Sequence, residues 1–163
     1  MSVALLTNNP AWHRLAAPWR PWEPSGPPDS AVRQSLPRQC FLLEGSPLKV
    51  LLAGRSLLHA GWRLIHHPLY GNFRPHQQPY RTLIWRREKI FLKAGPALTT
   101  DYWSLRLLEE ALALYQNSRV PGPQETTPAF REDFALLDME LLRPAFKEAG
   151  WPEQGDSLET GIT

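Results

Sequence analysis

Residues 40–67, CFLLEGSPLKVLLAGRSLLHAGWRLIHH, decide the fold class. The apolar run Cys40–Leu43 predicts a buried strand, and Ser46 followed by Pro47 is typical of a helix start. Leucines then recur along one helical face, and the segment Arg63–His66 is predicted to be the next strand. A strand, a helix and a strand in this order predict two parallel strands joined by a right-handed crossover.

The rest of the chain adds strands and helices on both sides of this unit. The apolar runs Val3–Leu6 and Arg81–Trp85 predict two further strands, and Ile90–Leu92 a weak fifth one. A helix is expected from Asp101 to Asn117, capped by Asp101, and a second should start at Thr127-Pro128. The predicted fold class is therefore α/β, with a small, mainly parallel sheet of four or five strands and three main helices packed on it.

The apolar periodicity of the two C-terminal helices predicts which faces they bury. The expected inner stripes are Trp103, Leu107, Ala111 and Leu114 in the first helix and Phe130, Phe134, Leu137 and Leu141 in the second. The acids Glu109, Asp133 and Asp138 are predicted to lie on a solvated face, and Pro144 should kink the second helix near its end.

The length of 163 residues is that of one domain. We predict a single α/β domain over residues 1–150, a Pro- and Trp-rich loop insertion at 10–38, and a polar tail at 151–163. The only cysteine, Cys40, lies in an apolar run and is expected to be a buried small hydrophobe. No apolar stretch approaches the length of a membrane helix, and no signal-peptide pattern is present, so we expect a cytoplasmic protein.

Charge is divided unevenly along the chain. Residues 1–90 hold 12 basic and 4 acidic side chains, whereas residues 91–163 hold 6 basic and 12 acidic ones. We expect the acidic helices to pack beside the basic half and neutralise it. The alternative is nucleic-acid binding, which requires an affinity that falls steeply with salt and is the less favoured interpretation. It would use Arg81, Arg86, Arg87 and Lys89.

Two polar segments predict a functional site. One is the TNNP turn that follows the first strand, and the other is HHPLYGNFRPHQQPYR at residues 66–81. Ligands of α/β proteins bind outside the carboxyl ends of parallel strands. If the third strand runs parallel to the first and the fourth runs antiparallel, the two segments meet at one edge of the sheet. The candidate ligand-binding residues are Thr7, Asn8, Asn9, His67, Asn72, Arg74, Tyr80 and Arg81.

These side chains favour a small anionic or amino-acid-like ligand. Asparagine amides donate and accept hydrogen bonds, and guanidinium groups pair with carboxylates or phosphates. His67 is the candidate acid or base of an alternative hypothesis, an enzyme of undefined type. The structural alternative is that both segments only form turns. No metal is predicted because the histidines lack a familiar ligand spacing, and no motif assigns a cofactor.

Several motifs together resemble the GrdX family. They are TNNP, EGS before a helix that ends in GWRL, HPLYGN-x-x-P, PYRT, D-x-x-S-L from Asp101, and D-F-x-x-x-D from Asp133 to Asp138. The family is named for its place in operons that encode glycine reductase, a selenium- and thiol-dependent system of amino-acid fermentation. Members of the family are regarded as proteins of unknown function. Our leading hypothesis is a non-enzymatic or accessory binding protein that holds a small anionic or amino-acid-like ligand or docks to an enzyme complex. The chain departs from the family pattern at Arg81 and Thr82, where lysine and serine are usual, and its insertion at 10–38 is longer.

Overall fold

Strands from both halves of the chain form one sheet. The computed structural model describes residues 1–15, 17–22, 38–88 and 100–151. The strands are β1 (Ser2–Thr7), β2 (Trp19–Pro21), β3 (Arg38–Leu42), β4 (Arg63–Leu64) and β5 (Thr82–Arg87). Their order in the sheet is β2-β3-β1-β5-β4, so that β1 lies at the centre.

The sheet is mixed, which corrects the prediction of a mainly parallel one. β1 and β2 both pair with β3 in parallel, whereas β5 runs antiparallel to both β1 and β4. The helix after β3 connects it to β4, but β1 and β5 lie between these two strands, so they are not the adjacent parallel pair that we expected. The chain passes from β4 to β5 through a loop without a crossover helix, and such a connection favours antiparallel pairing.

The helices begin where the cap signals predict. They are α1 (Pro47–His59), α2 (Tyr102–Gln116) and α3 (Pro128–Glu148). The Asp101 carboxylate accepts a hydrogen bond from the Ser104 amide at 2.9 Å, and Thr127 caps α3 in the same way. Ser46 occupies the cap position of α1 but forms no side-chain cap hydrogen bond. Pro47 and Pro128 provide a backbone angle already suited to the first helical turn.

The two faces of the sheet carry separate apolar cores. Alternate residues of β1 point to opposite faces, so Ala4 and Leu6 pack with α1 and α2, while Val3 and Leu5 pack with residues of α3. Cys40 is fully buried in the second core, as expected. The described elements therefore form three layers, with the sheet in the middle.

The buried faces of α2 and α3 differ from the predicted stripes. Trp103 is 63% exposed and Phe130 is 58% exposed. Both helices carry apolar residues on adjacent stripes, and contact with the sheet buries the neighbouring stripe together with Ala111, the one residue of the predicted stripes that is fully buried. The buried residues are Ser104, Leu108, Ala111, Leu112 and Tyr115 in α2 and Ala135, Asp138, Leu142 and Phe146 in α3. Pro144 lies within α3, which continues to Glu148.

The predicted loop insertion contains regular structure. Residues 10–14 form a short 3-10 turn that buries Trp12, and β2 adds an edge strand, the position in a sheet where proline is tolerated. Residues 23–37, the predicted strand Ile90–Leu92 and the tail from 152 lie outside the described residues. Within the part of the chain that the structure describes, no helix is long and apolar enough to cross a membrane.

The basic and acidic halves of the chain meet across the helices. The Arg55 guanidinium of α1 pairs with the Glu109 carboxylate of α2 at 2.5 Å, and the Arg63 Nε atom lies 3.1 Å from an Asp101 oxygen. These ion pairs join residues of opposite charge from the two halves, as the neutralisation hypothesis predicts.

Candidate functional site

The TNNP turn and the start of β5 meet at one edge of the sheet, as predicted. Thr7 pairs in register with Thr82, and the Arg81 backbone amide donates to the Asn8 side-chain oxygen at 2.7 Å. The Asn8 amide group also donates to the carbonyl oxygens of Pro79 at 2.9 Å and Gly45 at 2.8 Å. Asn8 thus ties the carboxyl ends of β1 and β3 to the segment that leads into β5.

Asn9 connects the same turn to helix α3. Its side-chain nitrogen donates to the Ala135 carbonyl at 2.9 Å and to the Asp138 carboxylate at 3.0 Å, and its side-chain oxygen accepts from the Ala11 amide. The Thr7 hydroxyl accepts from the Asn9 backbone amide at 2.9 Å. Thr7 and Asn9 are fully buried, so both hold the fold together beneath the surface.

Asp138 is the centre of a buried hydrogen-bond network. Its carboxylate accepts from the Asn9 amide, from the Trp12 indole at 3.0 Å and from the Thr82 hydroxyl at 2.7 Å. The Tyr70 hydroxyl donates the fourth hydrogen bond. The prediction that Asp138 lies on a solvated face is wrong, because its side chain is fully buried. Four converging donors compensate the loss of water around this charge.

Sequence reasoning missed this network, although one signal was present. Asp138 falls at helical spacing between Ala135 and Leu142, residues that face the sheet. A carboxylate within an apolar stripe indicates a buried and paired acid. The DFxxxD motif contains the same residue, but its partners come from three other segments and have no fixed spacing from it.

Tyr70 joins the carboxylate to a buried cation. Its hydroxyl accepts from the Thr82 backbone amide at 2.8 Å, and its ring lies 4.6 Å from the Arg81 guanidinium carbon. Burial and the Asp138 carboxylate raise the pKa of Tyr70 well above its ordinary range. The tyrosine therefore stays protonated and donates to Asp138.

Arg81 lies in the interior rather than on a ligand-facing surface. Only 1% of the residue is exposed, and its guanidinium donates to the Pro68 carbonyl at 2.9 Å, the Gln78 side-chain oxygen at 2.8 Å and the Tyr115 hydroxyl at 2.5 Å. Burial opposes its charge, but the neighbouring tyrosines and Asp138 raise the pKa of Arg81 above its ordinary value. In this arrangement its guanidinium organises the loop between β4 and β5.

The structure places three candidate residues of that loop on its surface. His67, Asn72 and Arg74 are exposed, and none of them is among the four hydrogen-bond donors of Asp138. The His67 Nδ1 atom accepts from the Leu69 amide at 3.0 Å, and Asn72 has a left-handed backbone with φ of 51°. An acid-base role for His67 stays a prediction. Within the described ranges, no group of three potential ligands could hold a metal ion.

His66, next to this loop, takes part in strand pairing. Its Nε2 atom accepts from the Ile84 amide at 3.1 Å, so Nδ1 carries the proton that is donated to the His67 carbonyl at 2.9 Å. Burial, together with the charges of Arg81 and His67, lowers the pKa of His66 to about 4. The imidazole is therefore neutral at physiological pH.

The arginines of the proposed nucleic-acid surface are not all available. Arg81 and Arg87 are buried, and the Arg87 guanidinium carbon lies 4.8 Å from the centroid of the Trp62 ring. Arg86 is half-buried, and Lys89 lies outside the described residues. The strand thus does not present the row of exposed cations that phosphate contacts need.

An open cleft lies at the carboxyl ends of β1 and β3. It has a volume of about 710 Å³, and its lining includes Asn8, Arg14, Gly45, Tyr80 and Arg131. Tyr80, which also lines the cleft, is only 3% exposed. Neither guanidinium in the cleft forms an ion pair with any described residue. We refer to this space as the edge cleft.

The edge cleft contains charges of both signs. Burial raises the pKa of Tyr80, and the Arg131 guanidinium opposes that shift, so the phenol stays protonated beside a cation. Glu44 and Glu132 also line the cleft and are exposed. The cleft therefore offers a neutral hydroxyl donor, two guanidinium groups that have no ion-pair partner in the described part of the chain, and two carboxylates to a bound molecule.

Comparison with known proteins identifies the family. Residues 29–147 match the family model described as GrdX-like protein. No curated protein and no solved structure matches the chain. The matched region runs from before β3 nearly to the end of α3 and includes Tyr70, Tyr80, Arg81 and Asp138. Because the match covers well over half of the 163 residues, the chain belongs to the GrdX-like protein family.

Proposed function

We propose that this protein is a non-enzymatic binding protein that holds a small anionic or amino-acid-like ligand in the edge cleft. The observation that carries the proposal is the presence of Arg14 and Arg131 in the lining of the cleft, since neither guanidinium forms an ion pair with a described residue. Guanidinium groups of this kind form charge-assisted hydrogen bonds to the oxygen atoms of an anion.

The charges in the edge cleft support this ligand class. Arg14 and Arg131 present guanidinium forks that suit a carboxylate or a phosphate, and neither is neutralised by a described side chain. Glu44 and Glu132 provide acceptors for an ammonium group. An amino acid carries both charges, whereas acetate or inorganic phosphate would use only the cationic side of the cleft.

The buried network supports the cleft from beneath. Asn9 links Asp138 to the carbonyl of Ala135, a residue that also lines the edge cleft. Asn8 holds Gly45, another lining residue, through its amide group. Among the residues predicted from sequence, Asn8 and Tyr80 thus line the proposed site, and Asn9 acts as a positioning residue behind it.

The family suggests the biological setting. The chain belongs to the GrdX-like protein family. The resemblance of its motifs to that family implies a link to glycine reductase operons, and we therefore propose an accessory role in amino-acid fermentation. A protein that binds substrate-like amino acids or acyl phosphates without transforming them would fit such a setting. This part of the proposal depends on family membership alone and is independent of the cleft chemistry.

A thermal-shift titration tests the binding site. Wild-type protein is heated with inorganic phosphate, acetate or glycine, because a ligand that binds the folded state raises the melting temperature. Arg131→Gln should weaken binding by roughly 10- to 100-fold, the loss expected for a charge-assisted hydrogen bond, and Tyr80→Phe by about tenfold or less. Arg143→Gln is the matched control on the same helix, because Arg143 does not line the cleft.

The outcome decides the proposal. Equal affinities for Arg131→Gln and Arg143→Gln would place any binding elsewhere on the molecule. No shift with any of the three compounds up to 50 mM, roughly the level at which even millimolar binding saturates, would remove the basis for a small-ligand site.

A further inference from the structure

The outer edge of β5 is longer than the strand that covers it. β5 has six residues, whereas β4 has only two, Arg63–Leu64, which pair with Arg86 and Trp85. The Ile84 carbonyl of β5 still accepts a hydrogen bond from the Ile65 amide at 3.1 Å. Among the described residues, no strand pairs with this edge of β5 beyond that point.

Two side chains take the place of the missing part of β4. The His66 Nε2 atom accepts from the Ile84 backbone amide at 3.1 Å, and the Tyr70 hydroxyl accepts from the Thr82 backbone amide at 2.8 Å. Ile84 and Thr82 are two residues apart in β5, so their amides point to the same edge of the strand. An unpaired edge amide can pair with another chain, so proteins cover such edges. We call these two hydrogen bonds the side-chain cap of β5.

The two halves of the side-chain cap respond differently to protons. The Tyr70 hydroxyl donates to the Asp138 carboxylate and stays protonated, because burial raises the pKa of Tyr70 well above its ordinary range. Its oxygen therefore accepts from the Thr82 amide at neutral and at mildly acidic pH. His66 accepts through the lone pair of a ring nitrogen, which a proton occupies on titration. Protonated His66 would thus place a second donor opposite the Ile84 amide.

The charged groups around His66 oppose that proton. Burial, the Arg81 guanidinium and the His67 imidazole lower the pKa of His66 to about 4. The Asp138 carboxylate of α3 is engaged by the hydroxyl of Tyr70, whose ring packs edge-on against the imidazole with centroids 5.3 Å apart. The hydrogen bond from His66 to β5 is therefore intact at neutral pH and is lost when the ring is protonated in acid.

We propose that the side-chain cap is a pH-sensitive edge of the sheet, in which protonation of His66 opens β5 at Ile84 while Tyr70 keeps it closed at Thr82. The opening is local, because it breaks a hydrogen bond at the edge of the sheet and leaves the pairing of β5 with β1 intact. It is also independent of the edge cleft, since neither His66 nor Tyr70 lines that space.

The tautomer of the His66 ring tests the geometry of the cap. Because Nε2 accepts from β5, the neutral ring must carry its proton on Nδ1, which donates to the His67 carbonyl at 2.9 Å. Long-range proton–nitrogen correlation spectra of the full chain at pH 7 show which ring nitrogen is protonated. We expect Nδ1 for His66, and a proton on Nε2 would overturn the inference.

Amide hydrogen exchange tests the opening. Between pH 7 and pH 5, protection of the Ile84 amide, corrected for its intrinsic exchange rate, should fall about 20-fold, because the open state binds the proton with the ordinary pKa of 6.5 and the closed state with a pKa of about 4. Urea well below the unfolding transition should hardly change this exchange, since a local opening exposes little surface. The Thr82 and Leu5 amides should instead exchange faster as urea is added.

Two glutamine variants separate His66 from the adjacent histidine. His66→Gln presents an amide oxygen that does not titrate to the Ile84 amide, so the 20-fold fall in protection should disappear. His67→Gln is the matched control, because the exposed His67 ring accepts from the Leu69 amide rather than from β5, and the fall should persist. The melting temperature at pH 7 checks that both variants are folded.

Two exchange results would overturn the inference. The first is an Ile84 amide whose exchange rises with urea as steeply as that of Leu5, because the edge would then open only when the whole protein unfolds. The second is a loss of protection in acid that persists in His66→Gln, because another group would then control the edge. The tautomer and the urea dependence are measured on the wild type, so both tests hold even if a variant fails to fold.

Discussion

Protonation of His66 should make the protein markedly less stable in mild acid, and the substitution His66→Gln should remove that sensitivity. The imidazole accepts a hydrogen bond from the Ile84 amide at 3.1 Å and donates one to the His67 carbonyl at 2.9 Å. A glutamine can reproduce both bonds with its oxygen and nitrogen. It does not titrate, so the variant isolates the effect of the proton.

The magnitude follows from the lowered pKa of His66. The folded state holds this pKa at about 4, below the ordinary value of 6.5. The folded state binds the proton more weakly than the unfolded state does. The contribution of neutral His66 to the free energy of unfolding is therefore complete above pH 6.5 and falls as the pH drops towards 4. Linkage predicts a loss of about 2 kcal/mol between pH 7 and pH 5, and about 3 kcal/mol in total below pH 4.

Urea unfolding at pH 7, 6 and 5 measures this effect. The free energy of unfolding of the wild type should fall by about 2 kcal/mol more than that of His66→Gln over this range. The difference between the two proteins, rather than either curve alone, is the test, since carboxylates titrate in both. If the two free energies change in parallel with pH, the reasoning about the half-buried, neutral imidazole is refuted.

Three further perturbations test the interior. Asp138→Leu leaves four hydrogen-bond donors without their acceptor and should cost about 3–5 kcal/mol in urea unfolding; a loss below 1 kcal/mol would contradict the network. Gly54→Val should lower the free energy of unfolding by about 1–3 kcal/mol and lower the melting temperature, because even a Cβ atom would lie 3.0 Å from the Leu83 and Trp85 side chains. An unchanged melting temperature would show that this contact relaxes. Burial raises the pKa of Cys40 to about 12, so a thiol reagent at pH 8 should label the native protein roughly 100-fold more slowly than the urea-unfolded one, and equal rates would show that the thiol is accessible.

Local signals determined most of the secondary structure. The proline and cap residues at Pro47, Asp101 and Thr127 mark helix starts because each satisfies or removes backbone donors of the first turn without help from distant residues. Apolar runs likewise located the strands, although Arg63–His66 was predicted longer than β4 is. β2 was not predicted, because a three-residue strand holding a proline has no recognisable pattern.

Helix faces were harder to predict than helix positions. In α2, Leu107 and Leu108 are both apolar, so the periodicity admits two neighbouring stripes. Packing against the sheet buries Leu108 and leaves Trp103 outside. The choice depends on the shape of the opposing surface, which sequence periodicity does not contain.

Part of the candidate site was also predictable. The expectation that the TNNP turn and the Tyr80-Arg81 segment share an edge is confirmed by the Asn8 to Arg81 hydrogen bond. The sequence did not predict which of these residues line a cleft. Some side chains at this edge point into the interior and others point to the surface, and the sequence pattern is the same for both. The Arg81 side chain points into the interior, where it donates a hydrogen bond to Tyr115, whereas Tyr80 lines the edge cleft.

The amino-acid sequence by itself determined the α/β class, the helix starts, the burial of Cys40 and the membership of the GrdX-like family. Only the tertiary structure decided the direction and position of β5, the burial of Asp138 and the opening of the edge cleft beside Tyr80. The physical reason is the range of the interactions. Caps and apolar runs act between residues a few positions apart, whereas Asp138 obtains its donors from residues 56 to 129 positions away.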